Sequence, residues 1–277
     1  MNELSFTVLV GLGSLVAGFL GSMTGLGGGV VIVPLLTIVF GVDLRYAIGA
    51  SLVSVIATSS GAAAAYVREG YSNIRVGMFL EVATTMGAIV GAFLAFVTPV
   101  NVISIVFGVI LLASAALSVR RAEDSPSGKS SKFVERLHLD ATYPTPFGPQ
   151  AYSVQHVPLG FGLMLVAGVL SGLLGIGSGA FKVIAMDQVM RLPFKVSTTT
   201  SNFMIGVTAA ASAGVYLNRG YVSPTVAMPV MLGVLAGSML GARVLMSARV
   251  GLLRIVFAIV VVAMACEMIH KGLVGNI

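Results

Sequence analysis

Three ionisable residues, Glu81, Lys182 and Asp187, stand inside runs of otherwise apolar sequence. A charge in such a run is costly unless it is paired or wetted, so each is a candidate for chemistry. Lys182 follows the glycine cluster Gly175-Ile-Gly-Ser-Gly179 by three residues and is placed to meet an anion directly. Glu81 could pair with Lys182 or carry a coupling proton, and Asp187 is the second candidate for proton coupling. Both carboxylates lie within two turns of a segment end, so snorkelling to the membrane surface is the alternative reading for them.

The glycines form the second constellation. Gly21-Ser-Met-Thr-Gly-Leu-Gly-Gly-Gly29 and Ser171-Gly-Leu-Leu-Gly-Ile-Gly-Ser-Gly179 each interrupt an apolar run. Glycine weakens a helix by roughly 1 kcal/mol per residue, so both helices are expected to break here. The piece after a break starts with free N–H groups and the positive end of a helix dipole, which suits a small anion. Gly27, Gly28, Gly29, Gly177, Ser178 and Gly179 are therefore candidate binding positions. Ser51, Ser54 and Thr58 share one helical face, and Ser197-Thr-Thr-Thr-Ser-Asn202 is a denser polar run. From these, Ser51, Ser201 and Asn202 join the candidate site, whereas Ser54 and Thr58 also suit bonds to their own helix backbone. The GxxxG pairs Gly87/Gly91 and Gly237/Gly241 have no polar company and are expected to serve helix packing.

Other chemistries find little support. Ser178 sits between glycines, but no His or Lys is evidently paired with it and the motif is not Gly-x-Ser-x-Gly, so no catalytic residue is assigned. Cys266 is alone, and His138 and His156 are far apart in a polar stretch, so no metal site is expected. Glu267 and His270 fall at a segment end and are expected at the interface. No phosphate-cradling loop is present and no cofactor is expected.

These groups must be positioned by elements suited to lipid. Hydrophobic residues are 57% of the chain and charged residues only 9%, too few to cover a water-facing surface. The apolar runs are about 20 residues long and do not alternate, which selects helices over a barrel. The basic residues are scattered between those runs, so the net charge of +6 is read as a topology signal and not as a nucleic-acid footprint. The start of the chain lacks a basic n-region and a cleavage site and is read as a first membrane segment.

The chain also contains itself twice. Residues 15–118 slide onto 165–268 without a gap, pairing Gly25, Gly27 and Gly29 with Gly175, Gly177 and Gly179, and Tyr66 and Tyr71 with Tyr216 and Tyr221. Apolar composition alone does not easily place paired Gly clusters and paired Tyr in one register. Apolar segments run at about 4–22, 28–41, 47–67, 76–98 and 101–119, and again at about 158–173, 178–190, 197–217, 223–246 and 250–270. This divides the chain into a first membrane repeat at 1–119, a polar linker at 120–157 and a second repeat at 158–277. The second piece of each half is too short for the hydrocarbon core, so a re-entrant pair or a short span after a sharp bend is expected. If each half crosses an odd number of times, the two halves are inverted. Twelve Lys and Arg then fall on the linker side and three, Arg45, Arg219 and Lys271, on the other. The positive-inside rule favours this arrangement, with the linker cytoplasmic and both termini outside. The expected fold is an all-α polytopic membrane protein. Inverted repeats with matched broken helices point to a transporter that holds its cargo near the midplane.

Several stretches resemble the TauE/SafE-type sulfite exporter family. They are Gly25-Leu-Gly-Gly-Gly29 followed by Pro34, Gly175-Ile-Gly-Ser-Gly179, Leu192-Pro-Phe-Lys-Val-Ser-Thr-Thr-Thr-Ser-Asn-Phe-Met204 and Gly233-Val-Leu-Ala-Gly-Ser-Met-Leu-Gly-Ala-Arg243. The resemblance covers nearly the whole chain, including the central linker with Tyr143 and Tyr152. It implies an inner-membrane secondary transporter of sulfite, sulfoacetate or related sulfur anions, with the lipid bilayer as its other partner and a homodimer left open. An anion channel is the alternative, and an intramembrane enzyme a remote one. Two departures fall in the second glycine motif. Ser178 stands where the family usually has Gly, and Ile184 where it often has Pro.

Overall fold

The computed structural model describes residues 3–24, 29–68, 72–119, 134, 139–145, 148–245 and 250–275. It is mostly helical. The first half holds α1 (Glu3–Thr24), α2 (Gly29–Pro34), α3 (Leu44–Arg68), α4 (Ile74–Val97) and α5 (Val100–Val119). The second holds α6 (Val157–Leu174), α7 (Gly179–Ile184), α8 (Phe194–Asn218), α9 (Pro224–Leu245) and α10 (Val250–Val274). Among the described residues Leu4–Gly21, Ile74–Val97 and Val157–Leu174 are long and apolar enough to cross a bilayer. The helix starts and stops follow from the sequence. Asn73 caps α4 by accepting from Val76 N–H, Pro158 opens α6, and Gly175 closes it in the left-handed region at φ 69°.

Both short helices continue into a π-helical turn, Leu35–Val39 after α2 and Ala185–Val189 after α7. Each combined piece rises at most about 16 Å, half of the hydrocarbon core. Pro34 is the last residue before the first of these turns. Ile184 occupies the matching position in the second half and is followed by the same turn, so proline is not required for it. The closing bonds also match. Val42 N–H donates to Leu36 O at 3.0 Å and Leu192 N–H to Met186 O at 2.9 Å.

The packing exchanges helices between the halves. α1 packs on α9 and α4 on α6, while α3 meets α8 and α5 meets α10. Glycines make this possible. A Cβ on Gly87 or Gly91 would run into the carbonyls of Leu165 or Val169, and one on Gly168 or Gly172 into those of Thr84 or Ala88. Gly237 meets Leu15 and Gly18 meets Val234 in the corresponding way. The packing role expected of Gly87, Gly91 and Gly237 is what these positions have; the side-chain position of Gly241 lies outside the described residues. Directions follow from the same contacts. α4 and α6 are parallel. α5 and α10 are antiparallel, since Gly108 faces Ala265 and Gly272 faces Asn101. α3 and α8 are antiparallel too, with Gly206 at Ser59 and the Tyr221 ring 5.1 Å from that of Tyr46.

The linker departs from expectation. It is not only a solvated stretch, and the fold is not purely helical. β1 (Ala141–Thr145) and β2 (Gly148–Tyr152) form an antiparallel hairpin in register Ala141 with Tyr152. Val134, Leu139, Tyr152 and Val154 are buried in one cluster with Val76, Leu80 and Val157. Asn73 fastens this cap. Its Nδ2 donates to Leu139 O at 3.0 Å and to the Tyr152 hydroxyl at 2.8 Å, and its backbone N–H donates to Thr200 Oγ1 at 3.0 Å. Burial pushes the Tyr152 hydroxyl up to about 12, so it stays a neutral phenol at physiological pH. Asn73→Ala is expected to lower stability by about 2 kcal/mol through the lost cap and the two orphaned oxygens. Thermal unfolding and limited proteolysis of the linker check this. Asn73→Asp should recover the cap but not the protection of the hairpin.

Candidate functional site

The second glycine break is held in left-handed backbone at Gly175 (φ 69°), Gly177 (φ 71°) and Ser178 (φ 48°). A Cβ on Gly177 would lie 2.8 Å from Ile205 Cγ2 and 3.3 Å from Val55 Cγ1, so the turn is pressed between α8 and α3. These two residues correspond in the repeat register. The first break shares one of these neighbours, since a Cβ on Gly29 would lie 2.8 Å from Val55 Cγ2, 3.0 Å from Ser51 Oγ and 3.3 Å from Gly175 O. The two breaks therefore lie side by side on α3. Gly27 and Gly28 lie outside the described residues.

Hydroxyls tie the second break in place. Ser51 Oγ donates to Gly175 O at 2.8 Å, across the halves, and Ser201 Oγ donates to Gly179 O at 3.2 Å. Both serines are thereby bonded to the backbone of that break. Ser54 and Thr58 bond their own helix instead, to Ser51 O at 2.7 Å and Ser54 O at 3.1 Å. Asn202 follows Ser201 on α8 and is half-buried. Asp187 is half-buried in the π turn after α7.

Lys182 is wholly buried, one turn beyond the break. Its Nζ donates to Thr208 Oγ1 on α8, and Thr208 lies 2.7 Å from Glu81 Oε1 on α4. Glu81 Oε1 also accepts from Thr85 Oγ1 at 3.1 Å. Three elements thus bring a buried cation and a buried carboxylate onto one threonine. Glu81 is 8% exposed and turned into the bundle, so it does not snorkel. Hydrogen bonds from Lys182 to Thr208 and from Thr208 and Thr85 to Glu81 offset part of the cost of burying the two groups. One atom is left over. Glu81 Oε2 is buried and has no partner among the described residues, and neither has Ser178 Oγ at the break. Buried polar atoms without partners are uncommon and mark places where something else can bind.

Thr208 was legible only indirectly. It pairs with Thr58 in the repeat and follows Ser201 by seven residues, which is the same helical face. Nothing in sequence alone says that this face meets Lys182 on one side and Glu81 on the other.

Comparison with known proteins places these features in a wider group. The sequence model of the family described as "Sulfite exporter TauE/SafE" matches residues 10–268. The "Probable membrane transporter protein YunE" of Bacillus subtilis (strain 168) is 30% identical, with 98% of this chain and 99% of that protein covered. The "Probable membrane transporter protein YdhB" of the same organism is 28% identical over 83% of this chain and 84% of its own. A "Probable membrane transporter protein" of Xylella fastidiosa (strain 9a5c) is 26% identical over 98% of each. No solved structure is significantly similar to the chain.

Proposed function

Because the chain belongs to the TauE/SafE sulfite exporter family of membrane transporters, we propose that it is a secondary transporter, working as an exporter, of small sulfur-containing anions such as sulfite or organosulfonates. The observation that carries this reading is Lys182, a wholly buried cation one turn from a helix break. An anion there meets the ammonium, the N–H groups that open α7 and the unpartnered Ser178 hydroxyl. Ser51 and Ser201 hold the second break in place. Gly27, Gly28, Gly29, Gly177, Gly179 and Asn202 complete the proposed cradle, and Glu81 and Asp187 are the groups suited to carry a proton.

In this reading the two repeats are inverted copies and access alternates around the cargo. The antiparallel packing of α3 on α8 and of α5 on α10 supports the inversion, because each pair consists of corresponding helices. The linker then lies in the cytoplasm and both termini outside the inner membrane. A reporter that is active only in the cytoplasm should work when inserted in the linker and fail at Ile277; the opposite pattern overturns this orientation.

Proteoliposomes preloaded with sulfite test the transport reading. Efflux is expected to saturate with concentration, and Lys182→Ala is expected to abolish it. Efflux that rises without saturation points to a channel, and efflux unchanged by Lys182→Ala removes the site from the pathway.

A further inference from the structure

Building on the proposed anion site, we infer that each molecule takes up one monovalent anion together with one proton, and that the proton resides on Glu81. Lys182 and Glu81 share Thr208, and with Lys182 protonated and Glu81 ionised the empty site is neutral. An anion that binds Lys182 adds a second negative charge to a site whose cation is wholly buried. A net charge in a low-dielectric interior is strongly disfavoured. Protonating Glu81 restores neutrality for a monoanion. A dianion leaves one negative charge uncompensated and is rejected, so of the sulfite species the hydrogensulfite monoanion is the one this site takes.

The hydrogen bonds say where the proton goes. Glu81 Oε1 already receives the hydroxyls of Thr85 and Thr208. Oε2 is buried and receives nothing. A proton on Oε2 turns that bare acceptor into a donor, which can turn to an anion oxygen at the neighbouring ammonium. No bond other than O–H forms or breaks, and the proton comes from water on the side from which the anion enters.

The surroundings leave Glu81 as the group that responds. α6, packed against α4, carries no titratable side chain. α8 carries Lys195 and Tyr216 near its ends, α7 carries Lys182, the π turn after it carries Asp187, and α4 itself carries Arg75 in its first turn. Of these, Lys182 is the one joined to Glu81 through a shared hydroxyl. The stoichiometry is one because the pair is not repeated. The register places Ile32 opposite Lys182 and Met231 opposite Glu81.

The test uses the purified full-length chain in lipid nanodiscs, with methanesulfonate as an obligate monoanion and sulfate as a dianion. Calorimetry in weak buffer is expected to show one proton taken up per methanesulfonate bound. Its affinity should fall about tenfold per pH unit once Glu81 is ionised in the empty site, and sulfate should bind at least tenfold more weakly. Glu81→Gln, a permanently neutral mimic of the protonated acid, is expected to lose both the proton uptake and the pH dependence of methanesulfonate binding. Methanesulfonate binding that is lost in Lys182→Ala but takes up no proton overturns this inference and leaves the anion site standing. Sulfate binding as tight as methanesulfonate overturns it as well. Wild-type protein that binds neither anion, or Lys182→Ala that binds methanesulfonate like wild type, removes the anion site and this inference with it.

Discussion

Lys182→Met is expected to weaken binding of a small sulfur anion by roughly 100-fold, about 3 kcal/mol, the range for truncating one partner of a buried charge contact. It should also destabilise the fold. Glu81 loses the cation reached through Thr208, and an ionised carboxylate left alone in the interior costs about 3–5 kcal/mol unless it takes a proton. The two losses separate in a double variant. Lys182→Met/Glu81→Gln should unfold near the wild-type temperature because no charge remains buried, yet it should still fail to bind. Calorimetric titration and thermal unfolding in nanodiscs read the two effects. Tight binding by either variant would show that the anion does not depend on this ammonium.

Gly91→Leu is expected to cost roughly 3 kcal/mol or more and to prevent accumulation of folded protein. The reason is backbone contact. A Cβ at Gly91 collides with the Val169 backbone on α6, and no rotamer change relieves a clash with a carbonyl. Gly162→Leu is the control on the same interface pair of helices. Nothing lies within 4 Å of a Cβ there, so folded yield and unfolding temperature should stay close to wild type. Equal damage from both substitutions would show that helix entropy, not the close approach of α4 and α6, sets the role of these glycines.

Much of this architecture is written in the sequence, for identifiable reasons. Lipid leaves a backbone few ways to satisfy its polar groups, so each apolar run became a helix within a few residues of its expected ends. The glycine cluster at 175–179 became a break because Gly175 and Gly177 adopt backbone that other residues rarely do. The π turns were not legible. Pro34 marks one, but Ile184 precedes the other with no local signal. The linker hairpin was hidden by its composition, since Tyr143-Pro-Thr-Pro146 reads as loop and its apolar residues find their cluster only in three dimensions. The Lys182–Thr208–Glu81 chain was half legible. Two buried charges could be matched by need, but the bridging threonine depends on how α8 is rotated between α4 and α7.

The exchanged packing has a consequence for how the protein is made. α1 leaves the ribosome long before the helix that its glycine face fits, since α9 begins two hundred residues after α1 ends, at Pro224 against Thr24. At about 5–20 residues per second, α1 waits roughly 10–40 s for that partner. α4 waits only until α6 emerges beyond the linker. The insertion machinery must therefore shelter an early helix through most of synthesis, and a chain halted after the first half presents two small-residue faces with nothing to cover them. Quality control that senses such faces in the bilayer could tell a finished molecule from a truncated one.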